Sequence, residues 1–205
     1  MSQTLLRIDA SARLAGSHSR GLADDFQASW QQAHPDGRVM VRDLAQTPIA
    51  QIDALTIEGF YTAPDQHTPQ HTQATALSDE LIAELLAADV LLLSTPVYNF
   101  AIPAAFKAYI DQVARIGRTF SADETGLHGL VPDRPTYVAV AAGLVYHDSP
   151  FTGFNFVAPY LEELLGFLGI TSVEFLTVEG TSVDPAALER TTAAAHQRIA
   201  EVTAA

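Results

Sequence analysis

Short solid apolar runs alternate along the chain with longer stretches in which apolar residues recur every third or fourth position. Leu5-Leu6-Arg7-Ile8, Val39-Met40-Val41, Val90-Leu91-Leu92-Leu93, Thr136 to Val140 and Val173 to Val178 are of the first kind and predict strands. Val90–Leu93 has no polar alternation at all, which suits a central strand buried on both faces. Helical spacing appears in Leu22, Ala23, Phe26 and Trp30, which end at His34-Pro35-Asp36-Gly37. It returns in Leu77, Leu81 and Leu85, with Ile82 and Leu86 beside them, in a helix that Thr68-Pro69 starts. Phe106, Tyr109, Ile110 and Val113 predict the next helix. Phe156, Tyr160, Leu161, Leu164, Leu165 and Leu168 predict another, with Gly169 as its left-handed cap. Asp184-Pro185 begins a last, Ala-rich helix. Ile52 to Tyr61 reads as a short helix, Thr62 to Pro69 as a loop, and Ser121 to Arg134 as a loop or short hairpin.

Strands that alternate with helices specify an α/β fold, a doubly wound parallel sheet with helices on both faces. The chain has 205 residues and no composition break, so residues 1–205 form a single domain. A five-stranded sheet of order 2-1-3-4-5 has its switch point between strands one and three, where ligands sit beyond the carboxyl ends of the strands. The loops after those two strands are the unusual ones. Ser11 to Ser19 is rich in hydroxyls and runs into a helix, so Ser11, Ser17 and Ser19 with the free helix amides form a candidate phosphate cradle. Serine is also a common N-cap, so no single one of them specifies an anion site. Pro96-Val97-Tyr98-Asn99-Phe100 interrupts the apolar third strand with an amide and two aromatics, more than a plain connection requires. Ala141 to Tyr146, after strand four, borders the same crevice.

Composition narrows the chemistry. There are no cysteines, which excludes disulfides, thiolate catalysis, iron–sulfur clusters and Cys-ligated zinc. A formal net charge of −13 argues against nucleic acid or an anionic membrane surface as partner. The sequence shows no signal peptide pattern and no apolar run near the ~20 residues of a membrane span, so a cytoplasmic protein is expected. Gly16 and Gly21 have P-loop spacing, but Leu22 follows in place of lysine, and no dinucleotide fingerprint follows the first strand. No nucleophile elbow occurs. His67 and His71 are four apart across Pro69, and no metal site is expected from them.

With these residues in hand, the chain resembles the FMN-dependent azoreductases and NAD(P)H:quinone oxidoreductases, a flavodoxin-like family. The resemblance is carried by Ser17-His18-Ser19, Arg42-Asp43-Leu44, Ser78-Asp79-Glu80-Leu81-Ile82, Pro96-Val97-Tyr98-Asn99-Phe100, Gly117 with Thr119-Phe120, and Leu165-Gly166-Phe167-Leu168-Gly169-Ile170. It implies that Ser11, Ser17, His18 and Ser19 hold the FMN phosphate. It implies that Pro96, Val97, Tyr98, Asn99 and Phe100 lie along the isoalloxazine, with Gly143 at its pyrimidine end. NADH or NADPH would be the electron donor and a quinone or azo compound the acceptor, in a two-step exchange through flavin N5. A homodimer is implied, with Phe120, Phe151, Phe156 and Phe167 as candidates for the substrate pocket.

The chain departs from the family pattern in one loop. Ser-Arg-Gly-Gly is replaced by Ala141-Ala142-Gly143-Leu144, and a leucine at a close backbone approach predicts a clash or a disfavoured positive φ. The family's tyrosine soon after Thr-Phe is replaced by Ser121-Ala122. No acid–base side chain is demanded; Tyr146 or His147 is the candidate proton donor at the ring edge, with a surface role the simpler reading of His147. The alternatives are a non-catalytic flavin-binding or sensor protein and a flavin reductase that releases reduced FMN.

Overall fold

The computed structural model describes residues 2–204. Five strands form one parallel sheet: β1 (Thr4–Asp9), β2 (Arg38–Asp43), β3 (Val90–Pro96), β6 (Thr136–Ala141) and β7 (Val173–Val178), in the order β2-β1-β3-β6-β7. Renumbered within the sheet this is the expected 2-1-3-4-5. All four pairings are parallel. A separate antiparallel hairpin, β4 (Phe120–Asp123) with β5 (Gly126–Gly129), occupies the stretch expected to be a loop or short hairpin.

The alternation of side chains along each strand sends two sets of residues to two helical layers. Leu5, Val90, Leu92 and Ala139 meet Leu22, Ala23, Phe26 and Trp30 of α1 (His18–Ala33) and Ala195 and Ile199 of α6 (Pro185–Thr203). Leu6, Ile8, Leu91, Leu93 and Val138 face the opposite way. They pack on α3 (Pro69–Ala87), α4 (Ala104–Val113) and α5 (Val157–Leu168). α2 (Ala54–Tyr61) lies against α3. β3 is buried along both faces, as its unbroken apolar run predicts.

The local signals explain most helix ends. Ser17 caps α1, Asp53 caps α2, Asp184 caps α6, and Thr68 forms a capping box with His71 at the start of α3. Gly169 takes φ 107 past the end of α5, with its N–H on Gly166 O and the Ile170 N–H on Leu165 O. A Cβ there would lie 2.6 Å from Val131 O. The buried Arg134 guanidinium donates to Leu85 O and Ala88 O and so covers the open carbonyls at the end of α3.

β3 runs further than expected, through Pro96. Its pairing with β1 ends at Ser94, whereas that with β6 continues to Pro96 opposite Ala141, so the missing proline N–H falls where one neighbour has already gone. The segment 62–69, expected to be a loop, holds one turn of 3-10 helix over Pro64–Gln66. Among the described residues no helix is long and apolar enough to cross a membrane.

Candidate functional site

The crevice lies beyond the carboxyl ends of β1, β3 and β6, and two loops define its opposite walls. After β1, the chain leaves the sheet at Ala10, whose N–H donates to Ser94 O, and turns over the start of α1. The Ser17 hydroxyl lies 2.9 Å from Ser11 Oγ and 3.3 Å from Ser19 Oγ, so the three predicted serines form one cluster. Ser11 and Ser19 are fully buried. As N-cap, Ser17 receives the Arg20 N–H on its side chain and the Gly21 N–H on its carbonyl. The amides of His18 and Ser19 have no partner within the helix and, with the helix dipole, favour an anion. His18 is exposed at the first helical position.

Behind this loop stands a cluster of charges. Arg20 Nη1 and Nη2 grip the Asp43 carboxylate at 2.7 and 2.8 Å, and Nη2 also donates to Ser11 O at 2.8 Å. That hydrogen bond holds the Asp43 carboxyl well below the usual carboxylate range and raises the Arg20 guanidinium in turn. Arg7 donates to Asp9, 2.9 Å away, and to Asp24 at 2.7 Å. Of this cluster only Asp43 carried a sequence signal, in the Arg42-Asp43-Leu44 block.

The second wall is a tight turn. Tyr98 N–H donates to Ala101 O at 2.9 Å and Ala101 N–H to Tyr98 O at 3.1 Å. The two residues between, Asn99 and Phe100, have φ of 50° and 71°. Positive φ at both central positions marks a hairpin turn whose favoured second residue is glycine. Asparagine tolerates that conformation, but for phenylalanine it costs about 1–3 kcal/mol. The two turn bonds leave the N–H groups of Asn99 and Phe100 out of the turn's own bonding. Val97 N–H donates to Ala141 O at 2.8 Å, which ties this turn to the loop after β6.

The third loop, from Ala141 to Tyr146, is held from the far side. Thr181 and Ser182 donate to the carbonyls of Ala142 and Gly143, and Gly180 donates to Leu144 O. The buried Glu179 carboxylate accepts the N–H groups of Tyr146 and His147 at 3.1 and 3.3 Å. Positive φ falls on Gly180, and on neither Gly143 nor Leu144. The positive φ that a leucine would disfavour is therefore absent at Leu144; later in the same connection Asp148 takes φ 49°. A Cβ on Gly143 would meet Ser182 Oγ at 3.0 Å.

The remaining predicted residues separate into two groups. Phe151 and Phe156 are exposed at the mouth of the crevice, where Phe156 N–H donates to Phe100 O at 3.2 Å. Phe154, which the sequence did not single out, lies 5.3 Å from the Phe100 ring. Phe120 and Phe167 pair at 4.7 Å, but at the other end of the sheet, where α5 finishes and the β4–β5 hairpin packs. Within one chain these two do not join the others. Tyr146 is 5 % exposed and lines a cavity of about 390 Å³ with Thr177, Glu179 and Thr191. Burial, and then the Glu179 charge, push its hydroxyl up, so it stays protonated at neutral pH. His67 and His71 are engaged in the fold: His67 Nε2 donates toward Gly59 O, and His71 Nδ1 takes the Thr68 N–H.

The fold is shared with known proteins. Residues 3–202 match a family model described as flavodoxin-like fold. An FMN-dependent NADH:quinone oxidoreductase of Xanthobacter autotrophicus is 48 % identical over 84 % of this chain and 84 % of its own length. A protein of that name from Hydrogenovibrio crunogenus is 41 % identical, over 96 % of this chain and 97 % of its own. Among solved structures, an azoreductase of Bacillus anthracis superposes with a TM-score of 0.90 at 29 % identity, covering 98 % of this chain and 99 % of that one. The chain belongs to the flavodoxin-like family of FMN-dependent azoreductases and NAD(P)H:quinone oxidoreductases.

Proposed function

We propose that this chain is an FMN-dependent oxidoreductase that takes hydride from NADH or NADPH and reduces quinones or azo compounds in two separate half-reactions at one place. Bound FMN would supply the hydride chemistry. Everything else falls to the protein. The serine cluster and the open amides at the start of α1 suit a phosphate. The observation that carries the reading is the Tyr98–Ala101 turn, in which a phenylalanine is held at φ 71° beside that cradle. Strain of this kind persists where the surrounding structure over-determines it and is concentrated at ligand sites. The Asn99 and Phe100 amides, outside the turn's own bonds, would be available to a flat heterocycle's polar edge, and such donors stabilise negative charge that develops there.

Phe100, Phe151, Phe154 and Phe156 form an aromatic mouth suited to flat, conjugated acceptors. Tyr146, kept protonated, is the candidate proton donor, acting from the β7 side of the loop. The assembly that fits this reading is a cytoplasmic homodimer. There Phe120 and Phe167, which lie far from the mouth of their own chain, have a route to the pocket of a second copy.

The test is oxidation of NADH, and separately NADPH, by a soluble quinone and by an azo dye, with the FMN-loaded protein. Turnover that needs both FMN and an acceptor is expected. A protein that retains FMN and turns over none of these acceptors is a binding protein instead. One that releases its flavin once reduced is a flavin reductase.

A further inference from the structure

The serine cradle stands on two carboxylates. Asp9 ends β1 and Asp43 ends β2, they are register partners, and Asp9 is 2 % exposed. A phosphate dianion at Ser11, Ser17 and Ser19 would lie over both, and in so sheltered a place the repulsion is weakly screened. Arg7 pairs with Asp9 but also with Asp24 on α1. Arg20 also reaches the loop, where Arg13 itself lies with its guanidinium near Gly16. The Arg20 guanidinium holds Asp43 with both terminal nitrogens, passes 3.5 Å from Asp9 Oδ2, and donates to Ser11 O. Its side chain is 11 % exposed, held in one place by these three partners. Ser11 Oγ in turn accepts from the Ser17 hydroxyl and from the Arg13 N–H. Two buried polar atoms at this spot have no protein partner, Arg20 Nε and Asp9 Oδ1. Ser94 Oγ, on the strand position opposite Asp9, is a third. A buried polar group without a partner is costly, and three such atoms on these neighbouring residues mark the place as a polar one.

We propose that Arg20 is a positioning residue for the cofactor's phosphate. It fixes the Ser11 carbonyl, and through it the hydroxyl cluster, and it neutralises the carboxylates beneath so that a dianion can settle above them. This rests on the FMN reading given above. The guanidinium suits the task because its planar fork spans a carboxylate and a carbonyl at once, which a lysine ammonium on a flexible stem does not.

The experiment measures binding rather than turnover. The full-length chain, stripped of flavin, is titrated with FMN and with riboflavin, which lacks the phosphate, by quenching of flavin fluorescence. The wild type binds FMN more tightly than riboflavin. Arg20→Ala lowers FMN affinity about tenfold, the scale of one charge-assisted contact, and leaves riboflavin affinity nearly unchanged. Arg20→Lys falls between the two. Because Arg20→Ala leaves Asp43 unpaired, the double variant Arg20→Ala/Asp43→Asn is measured as well. It lacks the unpaired carboxylate, yet Ser11 O has still lost its donor, so its FMN-to-riboflavin ratio drops in the same direction by less. A wild-type ratio in both variants, or riboflavin affinity falling in step with that of FMN, overturns the role of Arg20. A wild type that does not distinguish FMN from riboflavin overturns the phosphate cradle itself, and the proposal with it.

Discussion

Asp43 owes its depressed pKa to named neighbours. The Arg20 hydrogen bond comes first, with the Gln46 side chain and the Ala45 amide also lowering it while burial opposes them. A carboxylate depressed in the folded state stabilises the fold above its ordinary titration near pH ~4 and loses that contribution as pH falls through the folded value. Asp43→Asn should therefore lower stability at pH 7 by about 1–3 kcal/mol, since it also leaves the Arg20 charge without its main partner. The difference from wild type should shrink as pH falls below about 4. Urea melts at pH 7 and pH 3 measure it, and a gap of equal size at both contradicts the assignment. Tyr109 is the converse case. Its hydroxyl is buried in the α4 side of the core with no partner, and burial pushes its titration far up. Tyr109→Phe removes an unsatisfied group without opening a cavity, so stability should hold or rise by about 1 kcal/mol. A loss of that size would show that the hydroxyl is bonded after all.

At the scale of elements, the Tyr98–Ala101 turn is where local preference and observed conformation part. A turn with positive φ at both centres asks for Asn-Gly, and the chain supplies Asn99-Phe100. Phe100→Gly should raise the thermal midpoint, with a gain of about 1 kcal/mol from relieved strain, while weakening FMN retention and quinone turnover through the lost aromatic wall. A variant less stable than wild type would mean that the Phe100–Phe154 contact outweighs the strain. That conformation was not legible in the sequence, because a phenylalanine gives no sign of a left-handed turn. The strands and helices were legible, since each depends on periodicity and caps within a few residues: the solid run of β3, the Thr68-Pro69 start of α3, the Gly169 cap of α5. What escaped were pairings across long stretches of chain. Arg20 with Asp43, and Glu179 with the amides of Tyr146 and His147, are brought together only by the crossovers of the sheet. In the connection after β6 a left-handed residue is expected beside Gly143; positive φ falls instead on Asp148, further along that connection, and on Gly180, whose backbone pairs with the loop from the next one.

At the scale of the molecule, the strand order does the organising. The crossovers that put β1 beside β3 bring the serine loop and the strained turn to one end of the sheet, the place where ligands sit in doubly wound folds. The aromatic mouth at this end and the Phe120–Phe167 pair at the other lie too far apart in one chain to share a ligand. The proposed homodimer predicts twice the chain mass in solution, and a monomer with full turnover would remove Phe120 and Phe167 from the substrate pocket. The central claim is that the crevice holds FMN and passes hydride through it in two separable steps. The direct measurement is anaerobic titration of the FMN-loaded protein with NADH, no acceptor present, followed by addition of a quinone. The flavin's visible band should bleach with one equivalent of NADH and return when the quinone is added. A band that survives excess NADH and NADPH, with FMN still bound, would contradict the account.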